Sequence, residues 1–180
     1  MFFKPTNILA FVLMALASNY LVFGQDQSKE LKDNPKIDFK EFIKNAQLAE
    51  EHRNQRRLTE QGFIDKSKEK GVIILDARSM DKYDLLHIKG AVNLPFSDIA
   101  TASLNRFFPD KETTILIYCN NNFKGNEIAF ASKSAPASLN ISTYISLYTY
   151  GYRNIYELGP LLDVNKTKLE LVSSPKEIQK

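Results

Sequence analysis

The residue with the clearest chemical potential in this sequence is Cys119, because of what precedes and follows it. An apolar, β-branched run at residues 115–118 predicts a buried strand that ends at this cysteine. Residues 120–126 are rich in asparagine and glycine, which tolerate positive φ, and so predict a tight loop. The small and apolar residues 127–131 predict a helix directly after it. A thiolate at Cys119 would then lie over a helix N-terminus and inside a ring of backbone N–H groups, which both favour negative charge.

The same pattern is also typical of a cysteine that serves only as a small apolar side chain in a core. A nucleophile must be reachable from solvent, whereas a thiol shut off from solvent favours a scaffold role. Cys119 is the only cysteine, so it can form no intrachain disulfide. His52 and His87 do not complete a zinc site around one cysteine, so we expect neither a metal nor a cofactor.

The N-terminus predicts a secretory signal peptide over residues 1–24. Lys4 precedes an uncharged apolar stretch at residues 8–17, and Val22 and Gly24 suit the −3 and −1 positions of a cleavage site before Gln25. The stretch is too short for a comfortable bilayer span, so we expect an exported protein, periplasmic or extracellular, with no stable membrane span after cleavage. A retained N-terminal anchor is the alternative. In an oxidising compartment, an unpaired cysteine suggests a reactive thiol or an intermolecular bridge.

Charge and composition limit the classes of function. The formal net charge is +3, and no basic cluster is interleaved with aromatic residues, so we expect no nucleic-acid partner. Arg53, Arg56 and Arg57 predict a solvated helix face. That helix belongs to a polar N-terminal extension, residues 25–56, and residues 166–180 predict a polar C-terminal tail. The hydrophobic fraction of 43% fits one globular domain between them.

Apolar runs predict an α/β architecture for that domain. The runs alternate with helical or loop segments, as α/β folds require. Two of them, residues 72–75 and 115–118, are continuous, which is typical of parallel strands buried on both faces. The predicted strands centre on Leu75, Val92, Ile117 and Ile155.

Single residues predict further element boundaries. Leu58 is expected to begin a short edge strand, and Thr59 to cap the helix that follows. Pro136 is expected to break the helix after the loop, and Ser138 to cap a new helix that reaches Gly151.

Three motifs in chain order resemble the rhodanese family over about residues 57–165. The second motif is the strand, cysteine, loop and helix pattern around Cys119. The first motif is Asp76-Ala77-Arg78, followed by Tyr83 and by His87-Ile88-Lys89-Gly90-Ala91-Val92-Asn93-Leu94-Pro95. The third motif is Gly151-Tyr152-Arg153-Asn154-Ile155-Tyr156-Glu157-Leu158-Gly159. The resemblance implies a central parallel sheet of about five strands flanked by helices.

The resemblance also implies a chemistry. Cys119 would take a sulfane sulfur from a small sulfur-containing anion or a persulfide donor, and pass it to a thiol or another nucleophile. Asp76 and Arg78 are expected to hold neighbouring loops through hydrogen bonds. The loop would bind substrate mainly through its backbone N–H groups, and its residues are Asn120, Asn121, Asn122, Phe123, Lys124, Gly125 and Asn126.

The loop departs from the family pattern at three positions. Catalytic members usually carry an arginine directly after the cysteine, a glycine three residues after it and an arginine five residues after it. This chain has Asn120, Asn122 and Lys124 there. Lys124 can supply positive charge but not bidentate contacts, and Asn122 can replace glycine at a positive φ.

These departures leave two alternatives to a sulfurtransferase. The first is a non-catalytic module of the same fold that binds sulfur or an anion, or that mediates an interaction. The second is a phosphatase, which resembles Cys-x5-Arg and stabilises phosphoryl transfer with that guanidinium. The sixth residue after Cys119 is Gly125, so the sequence disfavours a phosphatase.

Overall fold

The computed structural model describes residues 34–175 of the chain. The predicted signal peptide and the first part of the polar extension lie outside the described residues. The chain divides into two units, residues 1–39 and 40–180. Of the first unit the structure describes residues 34–39, where the Ile37 N–H donates to the Asn34 carbonyl over 2.9 Å. No helix within residues 34–175 is long and apolar enough to cross a membrane.

A five-stranded parallel sheet forms the centre of the second unit, which confirms the predicted α/β class. Its strands are β1 (Arg57–Leu58), β2 (Ile73–Asp76), β4 (Val92–Asn93), β5 (Ile115–Tyr118) and β7 (Ile155–Leu158). They lie in the order β1–β7–β5–β2–β4, so β5 is the central strand. Two small sheets flank it: β3 (His87–Ile88) pairs antiparallel with β9 (Leu171–Val172), and β6 (Phe123–Lys124) pairs parallel with β8 (Leu162–Asp163).

Five helices connect and cover these strands in the described chain. They are α1 (Phe39–Asn54), α2 (Glu60–Ser67), α3 (Met80–Leu85), α4 (Thr101–Phe107) and α5 (Leu139–Thr149). Short 3₁₀ turns occupy Phe96–Asp98, Asn120–Asn122 and Ala135–Ala137. Thr59 caps α2 as predicted, because its Oγ1 accepts a hydrogen bond from the Gly62 N–H over 3.1 Å.

The core has two halves because alternate residues of a strand point to opposite faces. Ile115 and Ile117 of β5 pack in one cluster with residues of α1, α4 and α5. Leu116 and Tyr118 pack in the other with Phe63 of α2. All four β5 side chains are buried. The central strand therefore presents its carboxyl end, and Cys119 after it, from a rigid position.

Helix α1 is attached to the sheet by charged and polar side chains. Arg53 Nε lies 2.5 Å from Glu157 Oε2, and Nη2 lies 2.6 Å from Oε1. Arg57 Nε adds a contact of 3.3 Å to the same carboxylate, which is 2% exposed. The prediction of a solvated arginine face was therefore wrong for Arg53. The buried carboxylate of Glu157 on β7 requires a positive partner, which Arg53 supplies. The sequence pattern of α1 alone does not show that Arg53 has this partner.

Part of the segment predicted as a polar tail, residues 166–180, is folded onto the domain. Leu169 is buried, and β9 pairs with β3. Thr167 donates to Glu60 Oε1 over 2.6 Å, and this hydrogen bond lowers the pKa of Glu60. The segment was predicted to be a polar tail because it has few apolar residues and many charged ones, so its composition hides these contacts.

Candidate functional site

Cys119 lies directly after β5, at the edge of the sheet where the parallel strands end. In open α/β sheets this is the edge where ligands bind. The Cys119 side chain is nonetheless buried, with 1% of its surface exposed. Its Sγ lies 3.5 Å from the hydroxyl oxygen of Ser138. The thiol thus occupies the position that the sequence predicts but is shielded from solvent.

Asn122 fixes the backbone of Cys119 through its side-chain amide. The Cys119 N–H donates to Asn122 Oδ1 over 2.9 Å, and Asn140 Nδ2 donates to the same oxygen over 3.0 Å. Asn122 Nδ2 donates to the Leu158 carbonyl over 2.7 Å. Through these hydrogen bonds, the buried side chain of Asn122 connects the residue after β5 to the end of β7 and to α5.

The prediction that Asn122 replaces a glycine at positive φ was wrong. Among the described residues, only glycines have a positive φ. Gly125 is one of them, with a φ of 90°, and a Cβ there would lie 3.3 Å from side-chain atoms of Asp163 and Val164. The asparagine is required for the hydrogen bonds of its amide, not for its backbone conformation.

The helix predicted directly after the loop is also absent. Residues 126–130 form a single turn, in which the Phe130 N–H donates to the Asn126 carbonyl over 2.9 Å. The turn does not propagate because its carbonyls bind side chains instead. Ile128 O accepts from Lys82 Nζ over 2.6 Å, and Ala129 O accepts from Arg78 Nη1 over 2.9 Å.

The first helix after Cys119 in the described chain is α5, which begins 20 residues later at Leu139. Pro136 lies in the 3₁₀ turn before it, and Ser138 occupies its N-cap position, where the sequence places a cap. The helix N-terminus beside the thiol is therefore that of α5. It is supplied by a distant part of the chain.

Asn120 and Asn121 hold residues 131–133 beside the loop. Asn120 Nδ2 donates to the Ala131 carbonyl. Asn121 Nδ2 donates to the Lys133 carbonyl over 2.8 Å, and the Lys133 N–H returns a hydrogen bond to Asn121 Oδ1 over 3.0 Å. Residues 131–137 are all exposed. Residues 131–138 are referred to below as the 131–138 segment. The side chains of Asn120 and Asn121 attach this segment to the site.

Asp76 and Arg78 form a buried ion pair at the end of β2. Arg78 Nη2 lies 2.6 Å from Asp76 Oδ2 and Nε lies 2.9 Å from Oδ1, and the Tyr118 hydroxyl donates to Oδ2 over 2.5 Å. Although burial alone would lower the pKa of Arg78, the carboxylate beside it raises that pKa. Burial, followed by the charge of Asp76, raises the pKa of Tyr118 well above its usual value.

The Arg78 guanidinium also donates to the carbonyls of Leu86 and Ala129, over 2.8 and 2.9 Å. It therefore joins the end of β2 to α3 and to the turn after the loop. His87 has a similar local role, since its Nδ1 lies 2.7 Å from the Tyr83 carbonyl and its ring stacks on the Tyr83 ring at 3.6 Å.

An open pocket of about 510 Å³ lies at the carboxyl edge of the sheet, close to Cys119 in the chain. Asn120, the next residue in the chain, contributes to its wall. Two lysines, Lys82 and Lys133, line the pocket together with Arg78, whose charge Asp76 offsets, and none of the lining residues is acidic. The two lysines therefore give the pocket positive charge, which favours anions. Cys119 itself is not among the lining residues.

The residues of the predicted substrate-binding loop do not all face the pocket. Phe123 is buried against Phe130, with ring centroids 4.5 Å apart. Lys124 is exposed on β6, opposite Asp163 of β8, and Asn126 Oδ1 accepts from the Ala129 N–H over 3.1 Å. Of the seven predicted loop residues, Asn120 is the one that lines the pocket.

Sequence reasoning missed four residues that surround the thiol or the pocket. Ser138 and Asn140 arrive from the start of α5, and Lys82 and Lys133 from α3 and the 131–138 segment. A helix cap at Ser138 was predicted, but nothing local connects it with Cys119. In residues 34–175, no cluster of three or more His, Cys, Asp or Glu side chains could hold a metal ion.

Comparison with known proteins identifies similar sequences and folds. The family model of the rhodanese-like domain matches residues 59–158. The BH2092 protein from Bacillus halodurans is 20% identical, with a TM-score of 0.50 over 73% of this chain and 86% of that one, which shows a common fold. A rhodanese with anions from E. coli is 21% identical over 56% and 96% of the two chains, with a TM-score of 0.39. Protein hp1203 from Helicobacter pylori is 18% identical over 73% and 98%, with a TM-score of 0.45. No curated protein shows significant similarity to the chain.

Proposed function

The chain belongs to the rhodanese-like domain family, and from this premise we propose that it is a sulfurtransferase in which Cys119 carries sulfane sulfur. The observation that carries the proposal is the position of Cys119, one residue from an anion-favouring pocket at the carboxyl edge of the sheet. The donor is a small sulfur-containing anion or a persulfide. The acceptor is a thiol or another nucleophile.

The reaction consists of two displacements at sulfur. The Cys119 thiolate attacks the sulfane sulfur of the donor, for example thiosulfate, and the bond between the two donor sulfurs breaks. The remainder leaves with the bonding electron pair, as sulfite in this example, and Cys119 becomes a persulfide. The acceptor then attacks the outer sulfur and restores the thiolate. Lys82 and Lys133 attract the anionic donor and offset its charge as it approaches.

The burial of Cys119 adds a requirement to this reaction. A thiol that is 1% exposed cannot meet a donor in the pocket unless a neighbouring segment moves. The candidates are residues 131–137 of the 131–138 segment, which are exposed and in part line the pocket, whereas Ser138 stays at the N-cap of α5 beside the sulfur. Elements with few buried contacts open at the lowest free-energy cost.

A second candidate function is favoured by the same burial. In a non-catalytic module that binds sulfur or an anion, or mediates an interaction, the pocket would serve without turnover at the cysteine. The hydrogen bond from the Cys119 N–H to Asn122 supports this candidate, because that donor is engaged within the protein. A persulfide or an oxyanion at the sulfur would need free donors around it.

Intact-mass analysis tests the two candidates. The native protein, a Cys119→Ser variant and the urea-unfolded protein are each exposed to thiosulfate or polysulfide. A sulfurtransferase gains the mass of one sulfur atom in the native state, loses it on addition of cyanide, and shows neither change in the variant. If only the unfolded protein gains sulfur, burial blocks the thiol, and the non-catalytic module is the better description.

We also propose that the protein is exported to the periplasm or the cell exterior. The basis is the sequence of residues 1–24, with its lysine, apolar stretch and small residues before Gln25. Expression of the full chain with a C-terminal tag tests it. The mature protein should begin at Gln25 and appear outside the cytoplasm, whereas an uncleaved cytoplasmic product would contradict export.

A further inference from the structure

Ser138 supplies the polar side chain that meets the sulfur of Cys119. Its Oγ lies 3.5 Å from Sγ, which is within hydrogen-bonding distance for sulfur. The two residues are 19 positions apart in the sequence. Cys119 is 1% exposed and Ser138 is partly buried, so the contact lies in surroundings with little water, where a hydrogen bond is stronger.

The hydroxyl of Ser138 does not have the role that its position would ordinarily give it. A serine at a helix N-cap usually accepts a hydrogen bond from a backbone N–H of the first turn. Ser138 occupies the N-cap of α5, but its side chain makes no such bond. The hydroxyl is directed at the sulfur instead, where it can donate.

The backbone around Ser138 fixes that direction. The Ser138 N–H donates to the Ala135 carbonyl over 3.2 Å, and its carbonyl accepts from the Ile141 N–H over 3.0 Å. Two residues further along α5, Asn140 binds Asn122, which binds the Cys119 N–H. The start of α5 is thus connected to Cys119 at the sulfur and, through Asn122, at the backbone.

We propose that Ser138 is a catalytic residue of the proposed sulfur transfer, and that its hydroxyl donates a hydrogen bond to the Cys119 thiolate. The inference rests on the proposed function, and it identifies the group that stabilises the nucleophile where the predicted loop helix is absent. Two features at the start of α5 favour the anion together: the O–H donor and the positive end of the helix.

The hydrogen bond acts before and during the first displacement. When residues 131–137 open and the thiol loses its proton to solvent, the Ser138 O–H remains bound to the sulfur and stabilises its charge. As Sγ attacks the sulfane sulfur, the charge moves to the leaving group, and the Ser138 proton stays on its own oxygen. The hydroxyl is neither consumed nor oxidised, so each turnover restores it.

The single cysteine allows a direct test by ultraviolet titration of the thiolate at 240 nm. Each variant is compared with the same protein carrying Cys119→Ser, which subtracts the tyrosine signal. Ser138→Ala should move the thiolate titration to higher pH, with roughly a tenfold decrease in the ionisation constant, as expected for loss of a hydrogen bond to a charged group. Ser134→Ala removes an exposed hydroxyl of the same segment and should leave the titration unchanged.

A second pair of variants keeps the test valid if Ser138→Ala fails to fold. Ser138→Thr and Ser138→Val have side chains of nearly equal shape, and only the first carries a hydroxyl. The threonine variant should titrate like the parent and the valine variant at higher pH. If the threonine and valine variants titrate alike, Ser138 does not stabilise the thiolate and the inference fails.

The titration needs no turnover, so it separates this inference from the proposed function. The rate of persulfide formation from thiosulfate is measured in parallel, and it should fall roughly tenfold in Ser138→Val at neutral pH. An unshifted titration in a protein that takes up sulfur overturns the role of Ser138 alone. A shifted titration in a protein that takes up no sulfur overturns sulfur transfer, and Ser138 remains the partner of the thiolate.

Discussion

Asn122 has more influence on Cys119 than its neighbours in the loop. It binds the Cys119 N–H, the Leu158 carbonyl and Asn140, and it is buried. If the Asn122 amide is removed, its buried partners are left without a hydrogen bond. Leaving a buried donor or acceptor unsatisfied costs more free energy than the hydrogen bond itself contributes. The position therefore depends on one side chain that can donate and accept at once.

Asn122→Ala should lower the free energy of unfolding by about 2–3 kcal/mol, because three buried partners lose their hydrogen bonds. The change is measured by urea denaturation followed by circular dichroism. Asn105→Ala, at an exposed position of α4, is the control and should change stability by less than about 0.5 kcal/mol. Equal stabilities for the two variants would contradict the role assigned to Asn122.

The Tyr118 hydroxyl completes the buried pair of Asp76 and Arg78. It donates to Asp76 over 2.5 Å and accepts from the Ile88 N–H over 3.1 Å. Removal of Arg78 would leave an uncompensated buried charge, so the tyrosine offers the milder test of the network.

Tyr118→Phe should destabilise the protein by about 1–3 kcal/mol, since a carboxylate loses a donor and a buried N–H loses its acceptor. The midpoint of urea unfolding measures it. Tyr150→Phe, at a more exposed position, is the matched control. If the two substitutions have the same effect, the hydroxyl of Tyr118 contributes nothing specific to stability.

At the scale of elements, access to Cys119 depends on how the 131–138 segment is held. Asn121 exchanges two hydrogen bonds with the backbone of Lys133, over 2.8 and 3.0 Å. A segment with exposed side chains has little apolar burial to hold it, so these polar contacts matter more than they would in a helix packed on the core.

Asn121→Ala should therefore make Cys119 react roughly fivefold faster with a disulfide reagent such as dithionitrobenzoate, because opening of the segment becomes less costly. The rate is followed by the release of coloured thiolate at fixed pH. Ser132→Ala, in the same segment, should react at the parental rate. An unchanged rate in Asn121→Ala would show that the segment does not control access.

At the scale of the whole molecule, α1 is attached to the domain partly through His52. Its Nδ1 lies 2.8 Å from the Tyr144 hydroxyl, and its ring centroid lies 5.3 Å from that of Tyr148. Burial, followed by the positive charges of Arg56 and Arg153, lowers the pKa of His52 below 6.5. Burial also raises the pKa of Tyr144, so both groups are neutral near pH 7.

Below pH 6.5, the unfolded chain therefore binds a proton at this histidine more readily than the folded protein does. The free energy of unfolding should therefore decrease as the pH is lowered from about 6.5. Above that pH, the stabilising contribution of the neutral His52 should be complete. Urea unfolding at about pH 5.5 and 7.5 measures the effect. His52→Gln should show a smaller difference between the two conditions, and an equal difference would exclude His52 as its source.

The sequence by itself determined the elements whose signals are local. The apolar run that became β5 is buried along its whole length, and Thr59 caps α2 where its position predicts. The parallel five-stranded sheet and the family also followed from the chain alone, because three ordered motifs each correspond to a strand end or a turn. Such patterns depend on residues within a few positions of one another.

Only the tertiary structure decided the surroundings of the thiol. The partners of Cys119 and Asn122 come from Leu158, Ser138 and Asn140, which lie 18 to 36 positions away. The loop helix is absent because Arg78 and Lys82, from another part of the chain, bind the carbonyls that would extend it. Hydrogen bonds between distant residues have no period in the sequence. The exposure of Cys119 therefore emerges only when the chain is folded.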